Sequence, residues 1–464
     1  MRFLYFTALT IFICSCSSPT ETSGKLPLLG ISVKPEENRE FSFTDKQSAY
    51  YYGRTHSQGK DWFSGWNVAT EKIMSDYQLF VNGTPVNRAE AAVTVYPNEI
   101  VRQYSWGKET FRMFDKQKVL QVELSTSSDS KYSIAILSDQ FSFDRVPNNI
   151  AYFRSNQKKN QVLGLSSFNR SSLSFTRTDQ GVTVHAGNDN RGFFIALDSS
   201  ETAVDQLLDN ASKNHAEWTL ERTNRMEKLM SDNFIRTSDS EIDHAVLWNI
   251  LSVEALITEQ TGHGIYAGLP WFNDYWGRDM FISLPGAALV TGQFDVAGKI
   301  LLSFAEFQNK DKNSKFFGRV PNRVRPDEII YNTTDGTPRF IHALYEYIRY
   351  SGDTTLIKTL YPVVQRSIEG PIKYWVDEKG YLTHDDADTW MDAKWEGKIP
   401  WSPRGNRAVD IQSLWFDQLQ AGIFFARVMQ NSAMKNRGAS FRKNFRQILS
   451  MILQIHFPSK WLTV

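Results

Sequence analysis

Cysteine is almost absent from this chain. Its 464 residues include two, Cys14 and Cys16, both at the extreme N-terminus. That excludes internal disulfides, thiolate zinc sites and a cysteine nucleophile from the folded body. A surplus of one charge is missing too. Against 52 Lys+Arg stand 51 Asp+Glu, for a formal net charge of +1, so no nucleic-acid partner is expected. The eight His residues are scattered with no pair at metal spacing. No phosphate-binding Gly loop and no Gly-x-Ser-x-Gly elbow accompanies the aromatic segments described below. The reading therefore needs no metal and no other cofactor. The apolar run 3–13, at 11 residues, is shorter than the span of about 20 that crosses a bilayer.

Aromatic residues, by contrast, are abundant: 13 Trp, 18 Tyr and 31 Phe, or 13% of the chain. Such richness serves a heavily packed core, and also carbohydrate sites, where flat rings stack on sugar C–H faces. The length suggests two or three domains, and 41% hydrophobic with 22% charged residues suits a folded protein. At the N-terminus, Arg2 and the apolar run form the first two regions of a secretory signal. Ile13-Cys14-Ser15-Cys16 resembles a bacterial lipobox, to be cut before Cys16 so that this residue is acylated. An ordinary signal peptide cut nearby is the alternative. The expectation is a signal peptide over 1–15, a polar tether over 16–35, and an exported, membrane-anchored lipoprotein of the periplasm or cell surface.

Residues 36–200 read as a β-sandwich. Leu120, Val122 and Leu124 alternate with polar neighbours, as do Tyr132, Ile134 and Ile136. Asp179-Gln180-Gly181 has the chemistry of a hairpin turn, and Phe193-Phe194-Ile195-Ala196-Leu197 suits a strand buried on both faces. This part carries no catalytic cluster. Residues 201–237 read as a helical linker. Beyond it, Ser238-x-x-Glu241 resembles a capping box, opening a stripe of Ile242, Val246, Ile250, Val253 and Ile257. Further helices are expected at 278–290, 294–307, 337–352, 353–375, 408–429 and 441–453, about seven in all.

The long loops between these helices hold the chemistry-bearing segments. Pro270-Trp271-Phe272-Asn273-Asp274-Tyr275-Trp276-Gly277-Arg278-Asp279 sets four rings beside an Arg-Asp dipeptide, which can clamp vicinal sugar hydroxyls as donor and acceptor or merely cap a helix. Gly318-Arg319-Val320-Pro321-Asn322-Arg323 precedes Tyr331-Asn332-Thr333-Thr334-Asp335. In Thr389-Trp390-Met391-Asp392-Ala393, an apolar pocket of Trp390 and Met391 would give Asp392 the raised pKa of a general acid. The alternative is an Asp capping a turn. Arg404 and Asp410 lie in the fourth segment, 403–410. His384-Asp385-Asp386-Ala387-Asp388 lacks a calcium-loop pattern and reads as a solvated acidic loop, and 310–315 reads as exposed.

In this order the segments resemble the amylo-α-1,6-glucosidase part of the glycogen debranching enzyme family. The motifs are Trp276-Gly277-Arg278-Asp279, Pro321-Asn322-Arg323, Tyr331-Asn332-Thr333-Thr334-Asp335, Thr389-Trp390-Met391-Asp392-Ala393 and Asp410-Ile411-Gln412-Ser413-Leu414-Trp415-Phe416. Where Asp410 stands the family usually has Glu. The resemblance spans about 242–428 and lapses near residue 448. It implies a β + α chain: a β-sandwich followed by an (α/α)6 toroid, here incomplete over 238–464. It also implies inverting hydrolysis of α-linked glucose from glycogen- or starch-type glucans. Asp392 would be the general acid, Arg278 and Asp279 ligands of the terminal glucose, and Trp276 and Trp390 its stacking walls, with Asn322, Asp335 and Arg404 as further substrate ligands. The family's general base lies downstream of the acid, in a segment expected beyond Val464, so the chain is expected to be inactive or nearly so. Glu396 and Asp410 are the nearest substitutes. The competing readings are a glucoamylase-like exo-α-glucosidase and a non-catalytic glucan-binding lipoprotein.

Overall fold

Strands fill most of the N-terminal part of the chain and helices dominate the C-terminal part. The computed structural model describes residues 24–436 except 127–129, 179–180 and 188–189. The signal segment, Cys14, Cys16, the start of the tether and the expected helix 441–453 lie outside the described residues.

The N-terminal half builds sheets of nine, five and four strands among the described residues. Gly192–Asp198 lies inside the nine-stranded sheet between Val119–Thr126 and Val162–Ser167. Phe193, Ile195 and Leu197 enter the core between the sheets. Phe194 and Ala196 face the opposite way, toward Val204, Leu208 and Ala211 of helix α1 (Glu201–Asp232). The continuous apolar run is thus buried on both faces, as expected. Gln121 is buried for the same reason, although simple alternation had placed it in solvent. Leu173–Thr178 and Gly181–Ala186 form the expected hairpin.

Two boundaries differ from expectation. The tether assigned to 16–35 is structured from Leu26: a 3-10 turn, Leu26–Leu29, docks its leucines against Met226, Leu247 and Leu251, and Ile31–Val33 joins the nine-stranded sheet. The Glu227 carboxylate accepts the Lys25 and Leu26 amides at 2.9 and 2.7 Å, fixing that turn. The linker is one continuous helix, α1, which packs along the sandwich.

Helix α2 (Ser240–Ala255) is capped by Asp239, whose carboxylate accepts the Glu241 amide at 2.9 Å, and not by Ser238. Its buried stripe is Asp243, Leu247, Leu251 and Glu254, whereas Ile242 is exposed. Two buried carboxylates rotate the helix away from the apolar reading. Asp243 accepts the Thr237 amide at 2.8 Å. Glu254 pairs with Lys46 of the sandwich and Arg225 of α1, each at 2.7 Å. Asp115, in the sandwich, receives Arg222 at 2.6 Å and Arg225 at 2.7 Å. This charge network joins sandwich, linker helix and helical domain.

The helical domain continues with α3 (Gly277–Leu284), a π-turn Pro285–Leu289, α4 (Phe294–Glu306), α5 (Gly336–Ser351), α6 (Thr355–Tyr374) and α7 (Val409–Asn436). α3, α5 and α7 pack side by side, with α4 and α6 also in contact with each other. Phe340, Leu344 and Tyr347 of α5 are buried as its stripe suggests, and Gly352 ends it in the left-handed region at φ 69°. A five-stranded sheet of short strands between residues 257 and 330, unforeseen in the sequence, carries Phe272–Trp276 into α3. Among the described residues no helix is long and apolar enough to cross a membrane.

Candidate active site

Three of the four sequence segments meet at one guanidinium. Arg278 projects from the first turn of α3. Its Nε donates to Asp335 Oδ2 at 2.6 Å and its Nη2 to Asp335 Oδ1 at 3.3 Å. Nη2 also donates to the Thr389 carbonyl at 2.6 Å, and Nη1 donates to Asp392 Oδ2 at 3.0 Å. Burial would lower the pKa of Arg278, but Asp335 and Asp392 outweigh it and raise it. Asp335 sits at the N-terminus of α5, where the helix dipole favours a carboxylate.

The motif glycine has a steric cause. Gly277 donates its amide to the Asn322 carbonyl at 2.7 Å. A Cβ there would lie 2.4 Å from the Pro321 carbonyl oxygen. Only glycine lets the start of α3 approach the 318–323 segment this closely.

Exposure sorts the expected ligands. Asp335 is fully buried, with 0% of its side chain exposed, so it holds Arg278 and does not face a ligand directly. Asn322 is buried as well, its amide donating to Asn332 Oδ1 at 3.2 Å behind the site. Asp392 keeps 34% of its side chain exposed. The apolar pocket expected around it is not formed: Trp390 stands out in solvent, and Arg278 is the neighbour Asp392 touches. Adjacency in sequence did not become enclosure in space. Asp279 is exposed beside Arg278. Desolvation by the site wall pushes its carboxyl pKa up, against the pull of Arg278. Trp276 is half-buried with the Arg323 guanidinium 4.9 Å over its ring, and Arg404 lies 5.6 Å over Trp390.

Arg404 is bound to Asp410 through two hydrogen bonds of 2.6 and 3.2 Å, and reaches Thr389 Oγ1 at 3.4 Å. Asp410 is thereby committed to a guanidinium. Glu396, the other substitute base considered, is exposed on a hairpin turn at φ 50°.

Sequence reasoning missed the framework beneath the site. The 384–388 stretch is no solvated loop throughout. Asp388 is buried and takes Arg319 Nη1 at 3.1 Å, the Thr334 hydroxyl at 2.9 Å and the Thr333 amide. His384 accepts the Ala408 amide at 2.9 Å, and Asp386 accepts the Arg404 amide at 2.6 Å. These bonds tie the 384–388 stretch to the 331–335 and 403–408 segments. Asp274 likewise gathers Arg323 and Arg325 behind Trp276. The sandwich also reaches this side: Phe63 meets Trp271 with ring centroids 5.6 Å apart. Among the described residues, no group of three His, Cys, Asp or Glu could hold a metal ion.

The β-rich half and the helical half together have the fold of a solved bacterial glucoamylase. That glucoamylase, in complex with acarbose, superposes over 90% of this chain and 68% of its own, with a TM-score of 0.53 at 11% identity. Residues 229–457 match the model of the amylo-alpha-1,6-glucosidase family. The match runs to 457, past the point near 448 where the sequence reading expected it to lapse. The glycogen debranching enzyme of Saccharomyces cerevisiae is 26% identical over 236 residues, covering 36% of this chain. The chain spans 15% of the yeast enzyme's length.

Proposed function

We propose that this chain recognises the terminal glucose of glycogen- or starch-type α-glucans, in an (α/α)6-type domain suited to inverting α-1,6-glucoside hydrolysis. One observation carries the reading: Arg278, Asp335 and Asp392, drawn from three family-like segments, converge within hydrogen-bonding distance. Asp392 is the proton donor to the leaving oxygen, being the solvent-reaching carboxylate of the pair that Arg278 holds. Arg278 and Asp335 are positioning residues. Asp279 accepts sugar hydroxyls, and Trp276 and Trp390 flank the ring. Acarbose, whose bridging amine replaces a glycosidic oxygen, would set that amine against Asp392.

Inverting hydrolysis also needs a second carboxylate about 6.5–9.5 Å from the acid to activate water. Among the described residues, Asp410 is tied to Arg404 and Glu396 rests on an exposed turn. The described residues therefore account for recognition and protonation, and this favours glucan binding without efficient turnover as the second reading. Calorimetric titration of the intact protein with isomaltose tests the site. Weak binding is expected, abolished by Asp279→Ala, with turnover at or near background. Equal binding by both proteins would contradict this placement. Robust Asp392-dependent turnover would put a base among the carboxylates present, with Asp410 and Glu396 the first to mutate.

Export and anchoring through acylated Cys16 belong to the same proposal. The lipobox-like Ile13-Cys14-Ser15-Cys16 supports it. Intact mass of the membrane-bound protein should show a chain starting at a lipidated Cys16. A soluble product unaffected by Cys16→Ala would contradict it.

A further inference from the structure

The turn that follows Gly24 builds an outward face that the proposed site does not use. Residues three apart eclipse one another in a 3-10 turn. In Leu26–Leu29, Leu26 and Leu29 accordingly share the inward side, and the Trp248 indole donates to the Leu29 carbonyl at 2.7 Å. Lys25 and Leu28 share the outward side, and Leu28 is 61% exposed. The Lys25 ammonium lies 4.1 Å from the centre of the Phe234 ring, just past the end of α1. The Arg236 guanidinium lies 5.6 Å from the same ring. Phe234 and Arg236 are both exposed. Two apolar side chains and two cations thus stand together on a turn that is fixed from beneath.

This face and the site lie at opposite ends of one helical segment. Asn233, next to Phe234, donates its side-chain amide to the Thr291 carbonyl at 3.3 Å. Thr291 follows the π-turn that ends α3, whereas Arg278 stands in the first turn of α3. From Arg278 to Thr291 the helical rise is about 20 Å. The chain that precedes the face names its occupant. Gly24 stands eight residues after Cys16, at most about 29 Å of extended chain. A bilayer that holds acyl groups on Cys16 is therefore within reach of Lys25 and Leu28. Apolar side chains that enter the headgroup boundary, flanked by cations that donate to lipid phosphates, are the chemistry of an interfacial contact.

We propose that Lys25, Leu28, Phe234 and Arg236 seat on the phospholipid surface that holds acylated Cys16, so that the site opens away from the membrane. The seating rests on the anchoring proposed above. Because the folded body has no cysteine, an introduced one takes a single bimane fluorophore. Ser231→Cys places it beside the face, just before Phe234. Phe272→Cys places it at the site end, where the Phe272 ring lies 6.2 Å from Trp276. The full-length acylated protein is reconstituted in vesicles of phosphatidylcholine and phosphatidylglycerol whose spin-labelled headgroups quench bimane. Quenching at Ser231→Cys should exceed that at Phe272→Cys several-fold. Leu28→Ser/Phe234→Ser should abolish the excess with the protein still bound to vesicles, and Lys25→Glu/Arg236→Glu should reduce it. Equal quenching at the two positions, the reverse order, or an excess that survives both double variants would overturn the seating and leave the anchoring standing. A protein without an acyl group by intact mass would overturn the anchoring, and the seating with it. Disulfide-linked dimers formed through Ser231→Cys in place of quenching would assign the face to a second copy and overturn the proposal.

Discussion

Replacing Glu254 with glutamine is expected to cost about 3–5 kcal/mol of stability, the usual result of removing one partner from a buried ion pair. The carboxylate lies between Lys46 and Arg225, each at 2.7 Å, and both cations would remain after the substitution. Burial alone would push the Glu254 carboxyl up, but the two cations overcome it and hold it at about 2, below its ordinary 4.5. A carboxylate held low contributes stability that is fully present above its unfolded pKa. It is lost as the pH falls through the folded value. Denaturant midpoints of the two proteins should therefore differ most above about pH 4.5 and converge as the pH drops toward 2. Equal midpoints at neutral pH would show that Glu254 does not join the domains.

Asp335→Ala should have a comparable effect on stability, about 3–5 kcal/mol, and a second effect on the site. It strips a buried guanidinium of two hydrogen bonds, at 2.6 and 3.3 Å, leaving Arg278 to Asp392 and the Thr389 carbonyl. With its anchor gone, Arg278 can no longer fix Asp392. The denaturation midpoint and the affinity for isomaltose should fall together. Asp335→Asn keeps one carbonyl acceptor and should recover part of both. An Asp335→Ala protein of normal stability and affinity would remove the positioning role.

The sequence was most informative where one periodicity controlled burial. The run 193–197 announced a strand covered on both sides, and the α5 stripe of Phe340, Leu344 and Tyr347 faces the core. Helix α2 escaped the same logic because Asp243 and Glu254 are buried by partners that no hydropathy pattern reveals. The site was legible as a set of residues and not as an arrangement. Arg278 lies 57 residues from Asp335 and 114 from Asp392, so their joint hydrogen bonding is a product of tertiary packing. Asp388 went unrecognised because an acidic run normally means solvent, whereas Arg319, Thr333 and Thr334 enclose this one carboxylate.

The central claim is that Asp392 faces the glycosidic atom of a bound α-glucan. Acarbose titration of the intact protein and of Asp392→Asn reads this directly, because the inhibitor's amine occupies that atom's place and needs no turnover. Loss of a hydrogen bond between charged groups should weaken acarbose about tenfold to a hundredfold, with isomaltose affinity nearly unchanged. Equal acarbose affinity in the two proteins would contradict the assignment of Asp392 as the proton donor.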